Sequence, residues 1–283
     1  MRRQKICLLI ISIGLTLVLT ACGGSSTANT DKKTAASAKQ NKNTIEASGT
    51  VQAANVENIV IDFPATAIPK VTKVNVQEGQ LVKKGDKLID LDMSDYNATI
   101  KGKQKALDAD ISAKNADVES KKDITGDNAK KAYQAKIDAG QAKIDADKIE
   151  IDALKAKLNR PYLNDSGIIS NMDNAVATDI TYKAGDLVSP EKAALTLKDL
   201  NSLYVEANVS EEFIKDVSVG KSVEIIPTSD PNTKMTGKVT NIANAASLSK
   251  NGDTYIPVNI SIEGNNGKLL PNYNVDVEID KSK

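Results

Sequence analysis

Residues 134–154 repeat one seven-residue unit almost verbatim. Gln134-Ala-Lys-Ile137-Asp-Ala-Gly140 is followed by Gln141-Ala-Lys-Ile144-Asp-Ala-Asp147 and then Lys148-Ile-Glu-Ile151-Asp-Ala-Leu154. Ile137, Ile144, Ile151 and Leu158 therefore recur with a heptad period and form one seam of a coiled coil. The run sits in a Pro-free stretch, Ser94 to Arg160, dominated by Ala, Lys, Asp, Gln and Ile, which is helical by composition. Ile100, Leu107, Ile111 and Val118 mark a less regular face in its first half. Between the halves, Asp123, Ile124, Thr125, Gly126, Asp127 and Asn128 supply turn chemistry and an Asp or Asn cap for a second helix. Two helices of about 29 and 32 residues, each about 44–48 Å long, are expected to form an antiparallel hairpin. Its seam is thin, because Gly140 and Asp147 stand where Leu is expected. That points to packing against further copies or a partner.

Both flanks of this stretch read as strands. Before it, Val71, Val74 and Val76 recur near period two and run into Glu78-Gly79, and Leu88, Ile89 and Leu91 follow the turn at Gly85. After it, Ile180 and Tyr182 lead into Gly185, and Leu195 and Leu197 alternate. The flanks also resemble each other. Val74-Asn-Val-Gln-Glu-Gly79-Gln-Leu81-Val82 aligns with Ile180-Thr-Tyr-Lys-Ala-Gly185-Asp-Leu187-Val188, and at the same offset Leu91 falls against Leu197. Each copy is a strand, a tight glycine turn and a short strand. Two such halves paired about a pseudo-twofold make one small sandwich, with the hairpin inserted between them. From Leu203 onward, Val205 to Val209, Val223 to Ile226, Val258 to Ile262 and Val275 to Ile279 alternate, and Asn251-Gly252 is a hairpin turn. Short strands at this spacing suggest a small barrel or sandwich.

The N-terminus is of another kind. Arg2, Arg3 and Lys5 precede an apolar run from Ile6 to Leu19, and Leu19-Thr20-Ala21-Cys22 follows. A basic start, a short apolar core and small residues before the cut read as a secretory signal. The last four residues resemble the lipobox of bacterial lipoproteins, in which Cys22 becomes the lipidated N-terminus. Gly23 to Thr44 contains no apolar residue larger than Ala and reads as a linker with a typical span of about 26 Å. The precursor has 37 basic and 37 acidic side chains, so removing Arg2, Arg3 and Lys5 leaves a net of −3. Cleavage also removes Cys7, and the mature chain then has Cys22 as its only thiol.

Composition removes several kinds of chemistry. With no His and two Cys, a His-based triad and the common zinc sites are excluded. Balanced charge argues against nucleic acid as a partner. There is no P-loop and no dinucleotide fingerprint, so no nucleotide cofactor is expected and any ATP hydrolysis belongs to a partner. The acidic runs of Asp108, Asp110, Asp145, Asp147 and Glu150 do not follow the EF-hand order and read as solvated helix faces, so no metal is expected.

The order half-motif, helical hairpin, half-motif, barrel resembles the membrane-fusion proteins, also called periplasmic adaptor or HlyD-type proteins, including the macrolide-efflux-like adaptors of ABC exporters. Gly49-Thr-Val51 is similar to that family's opening strand. Val76 to Asp92 is close to its first half-motif, Ser166-Gly-Ile-Ile169 and Gly185-Asp-Leu-Val188 resemble the second, and Leu203 to Glu211 with Val219 to Val223 looks like the entry to its barrel. The resemblance implies a mainly β fold with an inserted α-helical coiled-coil hairpin, a split lipoyl/biotinyl-like β-sandwich and a small β-barrel.

The expected segments are a signal peptide (1–21), lipidated Cys22 with a linker (22–44), lipoyl-like halves (45–93 and 161–200), the hairpin (94–160) and the barrel (201–283). Gly79, Gly85 and Gly185 form the lipoyl-like turns, and Asp123 to Asp127 the hairpin tip. No Lys stands at Leu91-Asp92-Met93-Ser94, where carrier domains bear their modified lysine, so a swinging arm and its cofactor are not expected. The tip lacks the Arg, Leu and Ser pattern by which Gram-negative adaptors dock on an outer-membrane channel, and Pro69-Lys70 replaces a common Gly. A complete membrane-proximal domain is not expected after the last strand. The resemblance implies a non-enzymatic adaptor of an export transporter, with an ABC-type permease and ATPase as partners. It also implies a self-oligomeric ring and a lipid anchor on the outer face of a Gram-positive-type cell membrane. The competing readings are a lipid-anchored ligand-binding protein and a structural envelope lipoprotein.

Overall fold

The structure, a computed structural model, describes residues 43–281. The signal segment, Cys22 and nearly all of the linker lie outside the described residues. The chain opens with β1 (Thr44–Ala53), β2 (Val56–Val60), β3 (Lys70–Val74), β4 (Gln80–Val82) and β5 (Lys87–Asp92), then enters α1 (Ser94–Lys122) and α2 (Asp127–Leu158). Four short strands return: β6 (Leu163–Asn164), β7 (Gly167–Ile169), β8 (Ala175–Thr178) and β9 (Ala193–Asp199). The last six are β10 (Leu203–Ser210), β11 (Ser222–Pro227), β12 (Met235–Ile242), β13 (Ser247–Leu248), β14 (Thr254–Ser261) and β15 (Asn274–Asp280). The mainly β architecture with an inserted helical hairpin is the one read from the sequence.

β2, β9, β8 and β4 form one four-stranded sheet, and β3, β5, β7 and β6 the other. The two half-motifs meet reciprocally. Gly79 N–H donates to the Ala177 carbonyl at 2.9 Å, and Gly185 N–H donates to the Val71 carbonyl at 2.8 Å. Leu81 lies opposite Val176, and Leu187 lies opposite Lys70. Each relation becomes the other when the numbers shift by the repeat offset, which is a pseudo-twofold axis. Val76 pairs in role with Tyr182, Val82 with Val188 and Leu91 with Leu197, and all six are buried in one core. Gly79 and Gly185 adopt φ of 77° and 102°, where a side chain is strained. Different side chains close the two turns. Gln80 Oε1 accepts from Gln77 N–H, and Asp186 Oδ2 from Lys183 N–H, both at 2.9 Å.

β10, β1, β15, β11, β12 and β14 follow in order, and β14 pairs back onto β10, so six strands close into a barrel with β13 attached to β14. Alternate residues such as Ile45, Val205, Ile225, Val258 and Val277 fill its interior. Two glycines permit the closure. A Cβ on Gly237 would stand 1.9 Å from the Ser261 carbonyl oxygen, and one on Gly49 would stand 2.8 Å from Val205 Cγ1. One boundary drawn from the sequence is corrected here. Residues 45–53 were expected in the first sandwich half, but β1 runs in the barrel between β10 and β15. Its partners lie at least 150 residues away in the chain, and strand periodicity carries no information about such pairings.

Candidate functional site

The hairpin is antiparallel, as its cross-helix contacts establish. Lys103 Nζ meets Glu150 at 2.7 Å, Lys143 bonds Asp110, Lys114 Nζ donates to Gln141 Oε1 at 3.0 Å, and Lys121 bonds Gln134. Ile144 and Ile151 are buried with Leu107 in a small cluster that Ile111 flanks. Leu158 is half-buried and packs against the sandwich core. Ile137 is only half-buried. Gly140 faces the Lys114 side chain, whose Cβ lies 3.4 Å from where a glycine Cβ would be built. Val118, expected on the inner face, is 37% exposed. The inner face of α1 instead passes from Ile111 to Lys114 and Lys121, whose long polar side chains reach glutamines of α2. Between Leu107 and Ile144 the two helices hold no fully buried residue, so the distal hairpin is joined by polar pairs. The Lys143 ammonium bonded to Asp110 lowers that carboxyl's pKa, and Asp110 raises that of Lys143.

At the tip, Asp123, Thr125, Gly126 and Asp127 are exposed and Ile124 is half-buried. The expected Asp or Asn cap is absent. Gly126 is the N-cap, with no side-chain hydrogen bond, and Asp127 sits in the first turn where the helix dipole favours a carboxylate. At the base, Tyr96 is 1% exposed and its hydroxyl donates to the Leu154 carbonyl at 2.8 Å. Its ring meets Phe63 edge-on, with centroids 4.5 Å apart. Lys157 Nζ pairs with Asp62 at 2.6 Å, so both ends of the hairpin are fastened to the sandwich. Sequence reasoning missed Tyr96; its only signal was an aromatic in the first turn of a polar helix.

The lipoyl-like turns at Gly79, Gly85 and Gly185 are exposed. Gly85 has φ of 88° and its N–H donates to the Ser170 carbonyl at 2.8 Å. Where a carrier domain bears its lysine, β5 ends at Asp92 and α1 begins at Ser94. Ser94 donates to the Asp92 carboxylate, which lowers its pKa. One open, polar cleft is lined by Ser210, Glu211, Glu212, Asp253 and Thr254 at an end of the barrel. Among the described residues, no three metal-binding side chains come together and no helix is long and apolar enough to cross a membrane. The geometry thus offers surfaces and a projecting hairpin.

No family model matches the chain. Over 123 residues it is 31% identical to the Bacillus subtilis (strain 168) protein named Putative efflux system component YhbJ, a match spanning 39% of this chain and 55% of that protein. The membrane fusion protein Spr0693 of Streptococcus pneumoniae R6 superposes with a TM-score of 0.64 at 18% identity, covering 84% of this chain and 99% of that one. MacA of Actinobacillus actinomycetemcomitans gives 0.63 at 21% identity, covering 85% and 79%. ZneB of Cupriavidus metallidurans gives 0.57 at 18% identity, covering 85% and 99%. The fold is therefore that of the membrane-fusion, or periplasmic adaptor, proteins.

Proposed function

We propose that this chain is the extracytoplasmic adaptor subunit of an export system, acting by assembly and conformational coupling without bond chemistry of its own. The observation that carries the reading is the sandwich split by a long hairpin, with both hairpin ends fastened to that sandwich, one by the Tyr96 ring against Phe63 and the other by Lys157 paired with Asp62. Such a layout transmits displacement between a projecting arm and a barrel. In this reading the partner is an ABC-type permease with its ATPase, as the resemblance to the macrolide-efflux-like adaptors implies, and any ATP hydrolysis falls to that partner. Copies of the chain assemble with one another, and lipidated Cys22 holds each at the outer face of the cell membrane. The polar seam of the hairpin and its exposed Ile149 (71%) support assembly through that arm.

Crosslinking of the native membrane protein tests this. Recovery of a transporter permease together with self-oligomers is the expected result. A monomer that holds a small ligand and no permease would establish the ligand-binding reading instead.

A further inference from the structure

We infer that the open end of the barrel lies against the lipid surface of the membrane through two loop tips, those carrying Val219 and Leu248. The inference rests on the reading above that the chain is tethered through Cys22. In a closed antiparallel barrel the strand ends alternate. β1, β11 and β14 therefore start, and β10, β12 and β15 finish, at the same end. The other end holds the connections from β1 to β2 and from β9 to β10, so the sandwich and hairpin leave from that side.

The open end has two loops, 211–221 and 243–253, and it is where the chain enters. The Asn43 carbonyl there accepts from Lys281 N–H at 3.1 Å. Val219 is 63% exposed and Leu248 is 73% exposed, one in each loop. The barrel core does not use them, since Val217 and Val223 flank Val219 and are buried. A single exposed apolar side chain is ordinary. Two of them, one on each of the two described loops at the end where the described chain begins, form a rim facing whatever the tether is fixed to.

The tether selects lipid as the occupant, while Glu211, Glu212 and Asp253 line a polar cleft at the same end. Lys215, Lys221 and Lys250 stand against four carboxylates in the same loops, a net of −1, so charge neither drives nor strongly opposes the approach. The length of chain between Cys22 and β1 limits how far the rim can stand from the bilayer, and tethering makes shallow insertion of two side chains sufficient.

The chain has no Trp, so Val219→Trp and Leu248→Trp each place a sole indole at a tip. The chain from Cys22 onward is coupled through that thiol to a maleimide phospholipid in phosphatidylethanolamine–phosphatidylglycerol vesicles carrying brominated acyl chains. Chemical coupling holds the protein at the vesicle whether or not cells acylate Cys22, so this result is separate from the test of the natural anchor. Both tip variants are expected to lose at least half their emission to the brominated lipid, while Ile149→Trp on the hairpin keeps its own. Emission at both tips equal to that of Ile149→Trp overturns the inference. Protection that appears only when a transporter permease is added assigns the rim to protein and overturns it equally. Both substitutions are at exposed tips, and circular dichroism matching the parent qualifies each variant.

Discussion

The Tyr96 hydroxyl and the Leu154 carbonyl, 58 residues apart, form a buried 2.8 Å hydrogen bond between the first turn of one helix and the last turns of the other. It lies where the helices leave the sandwich, beside Phe63. The two helices are therefore locked to each other by a directional contact at the point where the Tyr96 ring packs into the β core.

Tyr96→Phe removes that donor from a carbonyl that remains within α2, at a net cost of about 0.5–1.5 kcal/mol. Burial, and then Asp62, raise the phenol's pKa above 10.0. A raised folded-state pKa stabilises fully below the unfolded value and is lost as pH rises through the folded one. Thermal unfolding of the parent should weaken above about pH 10, and Tyr96→Phe should flatten that alkaline decline. A parent and variant with the same alkaline profile would show that Tyr96 does not control it.

Ile144→Asp combined with Ile151→Asp places two carboxylates against Leu107 and Ile111. Loss of packing and burial of charge should cost at least about 3 kcal/mol. Helical ellipticity should fall while the β signal persists, because the sandwich and barrel have separate cores. A single transition that unfolds helices and strands together contradicts this.

Gly140→Ala should act in the opposite direction. Its Cβ meets only the flexible Lys114 side chain at 3.4 Å, and Ala is favoured over Gly in a helix interior by about 0.8–1 kcal/mol. A higher midpoint for loss of helicity is the measurement.

Gly237→Ala should damage the barrel, because the new methyl meets a backbone oxygen at 1.9 Å. The strands must separate, at a cost on the order of 3 kcal/mol. Urea unfolding followed at barrel residues should show the earlier midpoint, with the hairpin's helicity less affected.

Acid should loosen the hairpin near Asp110. Its carboxyl pKa is lowered from 3.8 by the bond to Lys143. A lowered folded-state pKa gives stability that is present above the unfolded value and lost as pH falls through the folded one. Helicity should therefore decline below about pH 4, and Asp110→Asn should remove part of that decline. Cys22→Ser tests the other end of the chain, and the expected result is release of the protein from the membrane fraction. Unchanged membrane association would show that the anchor lies elsewhere.

What the sequence determined by itself was local. A heptad run without Pro has to be helix, and glycine at the turns of the two half-motifs marks positions where φ is positive, as Gly79 and Gly185 are. The repeat offset even carried the pseudo-twofold, because Val82 and Val188, or Leu91 and Leu197, occupy matched buried places. Tertiary structure decided what depends on residues far apart in the chain. It placed β1 in the barrel beside β10 and β15, turned Val118 outward, and gave Tyr96 a carbonyl on the opposite helix. It also gathered Val219 and Leu248 at the end where the chain enters. Periodicity reports which face of an element is apolar, but it does not report which distant strand or helix covers that face. Contacts of that kind form only when the barrel closes and the sandwich halves meet.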